Sequence, residues 1–424
     1  RNLNGLNASI ASATLQQSHV VEDINQNVTQ AAGLAQESTL AAENPGDVLG
    51  WSTDHQGRVR LAISISGVDS ELRYRDSESE PFRSILQTDF RTDVSPLFFH
   101  ADNQRFYALS NRGRDTLALV LIDPAKPDEE EKIYELPSHD LMGAGYSRLR
   151  QVLTSVDYYT DKPGQHFFDE HSEKIHAAIA RQLPGYEISI QSMTRDEKKM
   201  IVASYSDRNP GSRYLYDVDS NSLHKLAVIN SALPESDMAV MHPIEFTARD
   251  GMKIHGYLSL PLGVPSRNLP VVINPHGGPW ARDYWGFNPE VQFLANRGYA
   301  VLQPNFRGSS GYGTEFAAKG EGQWGRAMQD DLWAIGAHMD GFEYCPHHPD
   351  FGPEGTAAVD CRRRKPGPGM ILDLMDRWTI DPARSLLIGD RETDLAAASA
   401  AGIAGHLYEA GSVDDLLARA LGAA

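Results

Sequence analysis

Apolar positions fall into four successive patterns along the 424 residues. In residues 1–42, Leu3, Ile10, Ile24 and Ala31 lie on one seven-residue series, with Gln17 in register. Leu6, Ala13, Val20, Leu34 and Ala41 lie on a second, with Asn27 in register. This seam predicts one long helix with an apolar stripe, suited to a partner helix or to a surface. From 43 to 239, short alternating runs are separated by turn signals, among them Arg58-Val-Arg-Leu-Ala-Ile-Ser, Arg105-Phe-Tyr-Ala-Leu-Ser, Gln151-Val-Leu-Thr-Ser and Lys199-Met-Ile-Val-Ala-Ser. Asp102 and Asp196, Phe106 and Met200, Ser110 and Ser204, and Asp123 and Asp217 form pairs of equal spacing, and Leu153 stands midway between Phe106 and Met200. A period of roughly 45 residues with several strands per unit predicts a partial β-propeller of about four four-stranded blades, open on its N-terminal side, over a sandwich.

From 240 to 335 the runs His255-Gly-Tyr-Leu-Ser-Leu, Leu269-Pro-Val-Val-Ile-Asn-Pro and Tyr299-Ala-Val-Leu-Gln-Pro read as strands. Helical spacing occupies Pro289 to Gly298 and Trp324 to Ile335. Strand, glycine loop, helix and strand open a doubly wound sheet of the α/β-hydrolase kind. From 336 to 424, Ser385-Leu-Leu-Ile-Gly389-Asp390 is a strand, and Arg391-Glu-Thr-Asp394 leads into a helix from Leu395 to Gly402. The expected fold class is therefore mixed: a long N-terminal helix, a partial propeller, then a doubly wound α/β sheet that is either a hybrid or incomplete.

Composition narrows the functions. The net charge of −18 argues against nucleic acid and anionic membrane as partners. Two cysteines exclude a disulfide scaffold and fit a reducing, cytoplasmic setting. No apolar run approaches the ~18 residues of a membrane-spanning helix, and no secretory leader is recognisable. The first residue is Arg1 rather than Met, which implies a cut end.

Three groups of residues carry candidate chemistry. His276, Gly277 and Gly278 follow a buried-type strand, and glycines there let backbone N–H groups approach a developing oxyanion. Cys345-Pro-His347-His348 with the later Cys361 has zinc-like donors. Arg362-Arg-Arg364-Lys365 could clamp phosphate or form a solvated turn. An aspartate at the end of a parallel strand, as at Asp390, is a magnesium position in open α/β sheets, so zinc and magnesium are the cofactors to consider.

The run Ile10-Ala-Ser-Ala-Thr-Leu-Gln-Gln-Ser with Glu22-Asp-Ile-Asn-Gln-Asn-Val resembles the cytoplasmic coiled-coil arm of methyl-accepting chemotaxis receptors. That resemblance implies a coiled-coil partner through 1–42 and no catalysis there. Residues 43–335 resemble the prolyl oligopeptidase family, in its acylaminoacyl-peptidase-like branch. The motifs are Asn274-Pro-His-Gly-Gly-Pro-Trp-Ala-Arg, Gln292-Phe-Leu-Ala-Asn-Arg-Gly-Tyr-Ala-Val, Asn305-Phe-Arg-Gly-Ser-Ser-Gly-Tyr-Gly and Trp324-Gly-Arg-Ala-Met-Gln-Asp-Asp-Leu. The resemblance implies a serine peptidase acting on short peptides, with His276, Gly277 and Gly278 on the oxyanion side. Residues 336–424 resemble the C-terminal half of D-glycero-D-manno-heptose bisphosphate phosphatase, of the haloacid dehalogenase superfamily. That implies phosphate contacts from Arg364 and Lys365, a magnesium motif of Asp390 and Asp394, and a degenerate zinc set of Cys345, His347 and Cys361, with Arg363 in the fourth ligand's place.

Both nucleophiles are missing from these patterns. No Gly-x-Ser-x-Gly occurs anywhere, and Gly308-Ser-Ser310-Gly-Tyr312 breaks the pattern at its last position. The phosphatase superfamily attacks with the first aspartate of Asp-x-Asp-Gly-Thr, and Asp217-Val-Asp219 reads as a blade turn. The expectation is a composite, chimeric chain that is catalytically inactive as written. The alternatives are a serine peptidase using a hydroxyl such as Ser309 or Ser310, and a sugar-phosphate phosphatase.

Overall fold

Aspartate-centred turns set the repeat. The structure, a computed structural model, describes residues 44, 46–278, 280–323, 326–333, 361–378, 380–389 and 391–407. Asp54 accepts the Gln56 and Arg58 amides at 2.9 and 3.0 Å and the Arg58 side chain at 2.8 Å. Asp102 accepts the Gln104 and Arg105 amides at 2.9 and 3.0 Å and the Arg105 side chain at 2.7 Å. Burial, which alone would raise the Asp102 carboxyl, is outweighed by these donors, and its pKa is held down to about 2. Asp196 repeats the turn with the Lys198 amide. Each turn joins the first two strands of a meander, because the carboxylate satisfies amides that the bend leaves unpaired.

The first sheet runs β1 (Val48–Thr53), β2 (Val59–Ser66), β3 (Asp69–Tyr74) and β4 (Arg83–Thr88) in chain order. The second runs β5 (Val94–Phe99), β6 (Phe106–Ser110), β7 (Ala118–Ile122) and β8 (Glu130–Tyr134). The third holds β9 (Leu141–Ser147), β10 (Val152–Tyr159) and β11 (Pro163–Phe167), and is followed by helix α1 (Glu170–Gln182). The fourth is β12 (Glu187–Met193), β13 (Lys199–Tyr205), β14 (Ser212–Asp217) and β15 (Ser222–Val228). All neighbours within these sheets are antiparallel. The four sheets remain separate and open.

The third unit departs from the four-strand expectation. Asp169 caps α1 by accepting the Ser172 amide at 2.9 Å, and Glu170 and Glu173 occupy the first turn. These choices favour a helix N-terminus. Ile175, Ile179 and Leu183 then form an apolar stripe that packs on Met200, Val202, Tyr214 and Tyr216 of the fourth sheet. Asp217 accepts the Ser220 amide and hydroxyl and the Lys199 ammonium, so Asp217-Val-Asp219 is a blade turn.

The core lies between sheets. On one face of the second sheet Phe106, Ala108, Ala118, Val120 and Ile122 meet Leu61, Leu72 and Tyr74 of the first. On the other, Tyr107, Leu109, Leu119 and Leu121 meet Leu141 and Val156 of the third. Burial on both faces explains why Ala118–Ile122 is apolar without alternation.

The next sheet has the order β16 (Met241–Thr247), β17 (Lys253–Ser259), β19 (Ala300–Asn305), β18 (Val271–Ile273). β17 is antiparallel to β19, and β18 is parallel to it, with Val271 opposite Ala300. Helix α2 (Pro289–Asn296) makes the crossover. Asn288 caps it through the Glu290 and Val291 amides, and Gly298 ends it at φ 91°. Short α3 (Thr314–Ala318) follows β19.

The chain divides into two compact units, one of 1–246 with 253–321 and one of 247–252 with 322–424. The second unit contains α4 (Ala327–Trp333), α5 (Gly369–Arg377), β20 (Leu386–Gly389), α6 (Glu392–Ala400) and β21 (Ala404–Leu407). β20 and β21 pair in parallel as a two-stranded sheet of their own, with Leu386 opposite Ala404. α6 begins before Leu395, at Glu392, where the Asp394 carboxylate in its first turn accepts the Arg391 amide. The expected helix over 1–42, and the candidate ligands Cys345, His347 and Asp390, lie outside the described residues. Among the described residues no helix is long and apolar enough to cross a membrane.

Candidate functional site

The loop that leaves β18 carries the oxyanion-side residues. The Asn274 amide extends the strand by donating to the Leu302 carbonyl at 2.8 Å. Gly278 has φ 123°, and a Cβ there would meet the Trp280 amide nitrogen at 2.8 Å. Gly277 has open space where a Cβ would stand. Of the two glycines, Gly278 is therefore the one the backbone path requires.

The His276 ring stacks on Phe306, with centroids 4.5 Å apart and planes 14° apart. Its Nε2 is 2.8 Å from Ser309 Oγ, and its Nδ1 is 2.8 Å from the Gly277 carbonyl. Ser309 is fully buried, and its hydroxyl donates to the Phe306 carbonyl at 2.6 Å. A serine hydroxyl has one proton. A neutral His276 that donates from Nδ1 to the Gly277 carbonyl leaves Nε2 as an acceptor, so Nε2 and the Phe306 carbonyl compete for the single Ser309 proton. The sequence places Ser309 among possible nucleophiles, and the structure brings it to a histidine. Its burial opposes attack on a substrate. Ser310 donates its amide to the Ala281 carbonyl at 3.0 Å, tying the two loops together.

Asp283 was not legible as part of this site. Its amide donates to Asn305 Oδ1 at 2.7 Å, and Gln303 donates to its Oδ1 at 2.9 Å. Its Oδ2 is buried without a hydrogen bond, as are Gln303 Oε1 and Ser259 Oγ. Burial pushes the Asp283 carboxyl up, against the opposing pull of His276 and the Gln303 hydrogen bond. Arg282 was also missed as an organiser, although it stands in a quoted motif. It is buried and donates to the Tyr159 and Thr160 carbonyls at 3.3 and 3.1 Å and to the Tyr312 hydroxyl at 2.9 Å. These bonds fasten the loop to the end of the third sheet.

In the second unit, Lys365 pairs with Asp394, whose other oxygen accepts the Arg391 amide at 3.1 Å. Asp394 is buried. A Cβ at Gly389 would overlap the Asp394 side chain, so glycine is what lets β20 meet α6 there. Arg362 and Arg363 both pair with Asp373. The cation in the missing zinc ligand's place is thus held by an acid. The Arg364 amide donates to the Cys361 carbonyl at 2.9 Å, and the Arg364 carbonyl accepts the Gly367 amide at 2.7 Å. Asp394 is engaged by the Lys365 ammonium and the Arg391 amide. Among the described residues no group of three or more His, Cys, Asp or Glu is placed to hold a metal.

Residues 285–344 match the prolyl oligopeptidase family model. Residues 362–422 match a second model, described as HAD-hydrolase-like. Dipeptidyl aminopeptidase BIII of Pseudoxanthomonas mexicana is 33% identical over 316 residues, which are 70% of this chain and 45% of that protein. D-glycero-beta-D-manno-heptose-1,7-bisphosphate 7-phosphatase of Rhodopseudomonas palustris is 47% identical over 89 residues, which are 21% of this chain and 49% of that protein. The chain thus spans about half the length of the curated relatives it matches. A solved structure from a study of two prolyl endopeptidases superposes with a TM-score of 0.53 at 18% identity, covering 70% of this chain and 43% of that one. A puromycin hydrolase variant superposes at 0.52 with 16% identity, covering 83% of this chain and 50% of that one. One chain therefore carries peptidase-like sequence followed by phosphatase-like sequence. The stretch between the two family matches contains Cys345, His347 and Cys361.

Proposed function

We propose that this chain is a composite of two hydrolase portions that completes neither active site and is catalytically inactive as it stands. The observation that carries this reading is the state of Ser309. This hydroxyl meets His276, yet it is completely buried, out of reach of a substrate. The absence of a Gly-x-Ser-x-Gly elbow supports the same reading. On the phosphatase side, Arg364 and Lys365 would hold phosphate by charge-assisted hydrogen bonds. Lys365 would first have to leave Asp394. No Asp-x-Asp-Gly-Thr nucleophile is available in this sequence to take the phosphoryl group. The other readings are a serine peptidase for short peptides and a sugar-phosphate phosphatase of the heptose bisphosphate type. A coiled-coil partner through 1–42, of the chemotaxis-receptor-arm kind, and a cytoplasmic location complete the proposal.

Turnover assays on the full chain separate these readings. Dipeptide p-nitroanilides should give no absorbance above buffer. Heptose bisphosphate should release no more phosphate than an Asp390→Asn variant does. Peptide cleavage abolished by Ser309→Ala would establish the peptidase reading. Phosphate release lost in Asp390→Asn would establish the phosphatase reading.

A further inference from the structure

Side chains from four stretches of the first unit meet around one phenol. His139 precedes β9, His255 lies on β17, Arg282 lies in the loop after β18, and Tyr312 follows β19. The His255 ring lies flat against Tyr312, with centroids 4.8 Å apart and planes 8° apart. His139 tilts against the same ring at 5.3 Å and meets the edge of His255 at 6.2 Å. The Arg282 guanidinium stands 4.2 Å from the Tyr312 centroid. One permanent cation and two groups that ionise in mild acid therefore share one aromatic ring.

We propose that this cluster is an acid-released latch between the third sheet and the β16–β19 sheet. Protonation of His139 and His255 sets two further positive charges beside Arg282 and frees the 280–285 loop and the Tyr312 turn. Latch and loop are joined directly, because Arg282 is both the third charge of the cluster and the donor to the Tyr159 and Thr160 carbonyls.

The charged surroundings fix the sign. Burial first, then Arg282 and the neighbouring imidazole, pull His139 from 6.5 down to about 4, with Asp161 opposing. Burial also lowers His255; Arg282 and Lys253 add to this, and Glu245 and Asp161 oppose it. Both rings bind fewer protons folded than unfolded. Their contribution to the contact is complete above 6.5 and is lost as pH falls toward 4. Asp140 acts in the opposite sense. Burial pushes its carboxyl up, and its oxygens hold the Leu117 and Gly313 amides at 2.8 and 3.4 Å. Its protonation therefore favours the folded form as pH falls. Tyr159, Tyr257 and Tyr312 are all raised, by burial first, and stay neutral throughout this range.

Hydrogen–deuterium exchange of the full chain between pH 7.5 and 4.5, corrected for intrinsic rates, tests the latch. Protection in peptides covering 280–286 and 311–316 should fall about tenfold or more across that range, while peptides covering β6 and β7 keep theirs. In His139→Asn/His255→Asn the two loop peptides should show no loss of protection as pH falls across that range. An unchanged drop in that variant would overturn the proposal, as would parallel loss in β6 and β7. Should the double variant not fold, NMR titration of the two imidazoles in the unaltered chain decides. Midpoints well below 6.5 support the latch, and midpoints at or above it overturn it.

Discussion

Phe106→Ala lowers stability by about 3–5 kcal/mol. Phe106 is fully buried on β6, paired with Phe99 of β5 and Ile122 of β7. Its ring sits 6.4 Å from that of Phe99 and packs into the core shared with Leu61, Leu72 and Tyr74. Truncation removes the transfer free energy of the ring and leaves a cavity walled by two sheets, which cannot both close on it. Phe106→Leu retains most of the volume and costs far less. Urea unfolding followed by tryptophan fluorescence reads the difference. An Ala midpoint equal to that of the unaltered chain would contradict the assignment of this core.

Arg282→Ala is expected to cost about 3 kcal/mol, since hydrogen bonds from a charged donor are worth about 1.5–3 kcal/mol each and orphaned buried acceptors add to the loss. The substitution strips donors from the Tyr159 and Thr160 carbonyls and from the Tyr312 hydroxyl. It also removes a guanidinium packed against the rings of Tyr159, Tyr284 and Tyr312. Relief of the desolvated charge returns part of this, which keeps the value below a simple sum. Arg282→Lys should recover less than half, because an ammonium cannot span these acceptors with a planar fork. The same unfolding experiment, with exchange at 280–286 as the local readout, checks both variants. Wild-type behaviour of the alanine variant would remove Arg282 from the joint.

The repeat was legible because it is written in local chemistry. Asp54, Asp102 and Asp196 accept amides two to four residues ahead, and such turns leave a trace at fixed spacing. Phe106 and Met200 occupy equivalent second strands for the same reason. The helix in the third unit was readable in principle from Asp169, Ile175 and Ile179. The expectation of four strands per unit hid it. What could not be read is non-local. The approach of Ser309 to His276 depends on β18 lying beside β19 in parallel. The burial of Asp283 depends on Gln303 and Asn305 presenting their amides from the same strand. The ion pairs of Lys365 with Asp394, and of Arg362 and Arg363 with Asp373, turn apparent phosphate cations into partners of acids in their own unit. A motif names the residues of such a site, and tertiary packing decides which of them face a substrate.

The central claim is that no serine of this chain is an activated nucleophile. Intact-mass spectrometry after incubation with excess fluorophosphonate tests it most directly, since a serine with a working base is labelled stoichiometrically whatever the substrate. The account predicts an unmodified mass for the unaltered chain and for Ser309→Ala alike. A single adduct on the unaltered chain, mapped to Ser309 or Ser310 and absent from the corresponding alanine variant, would contradict it.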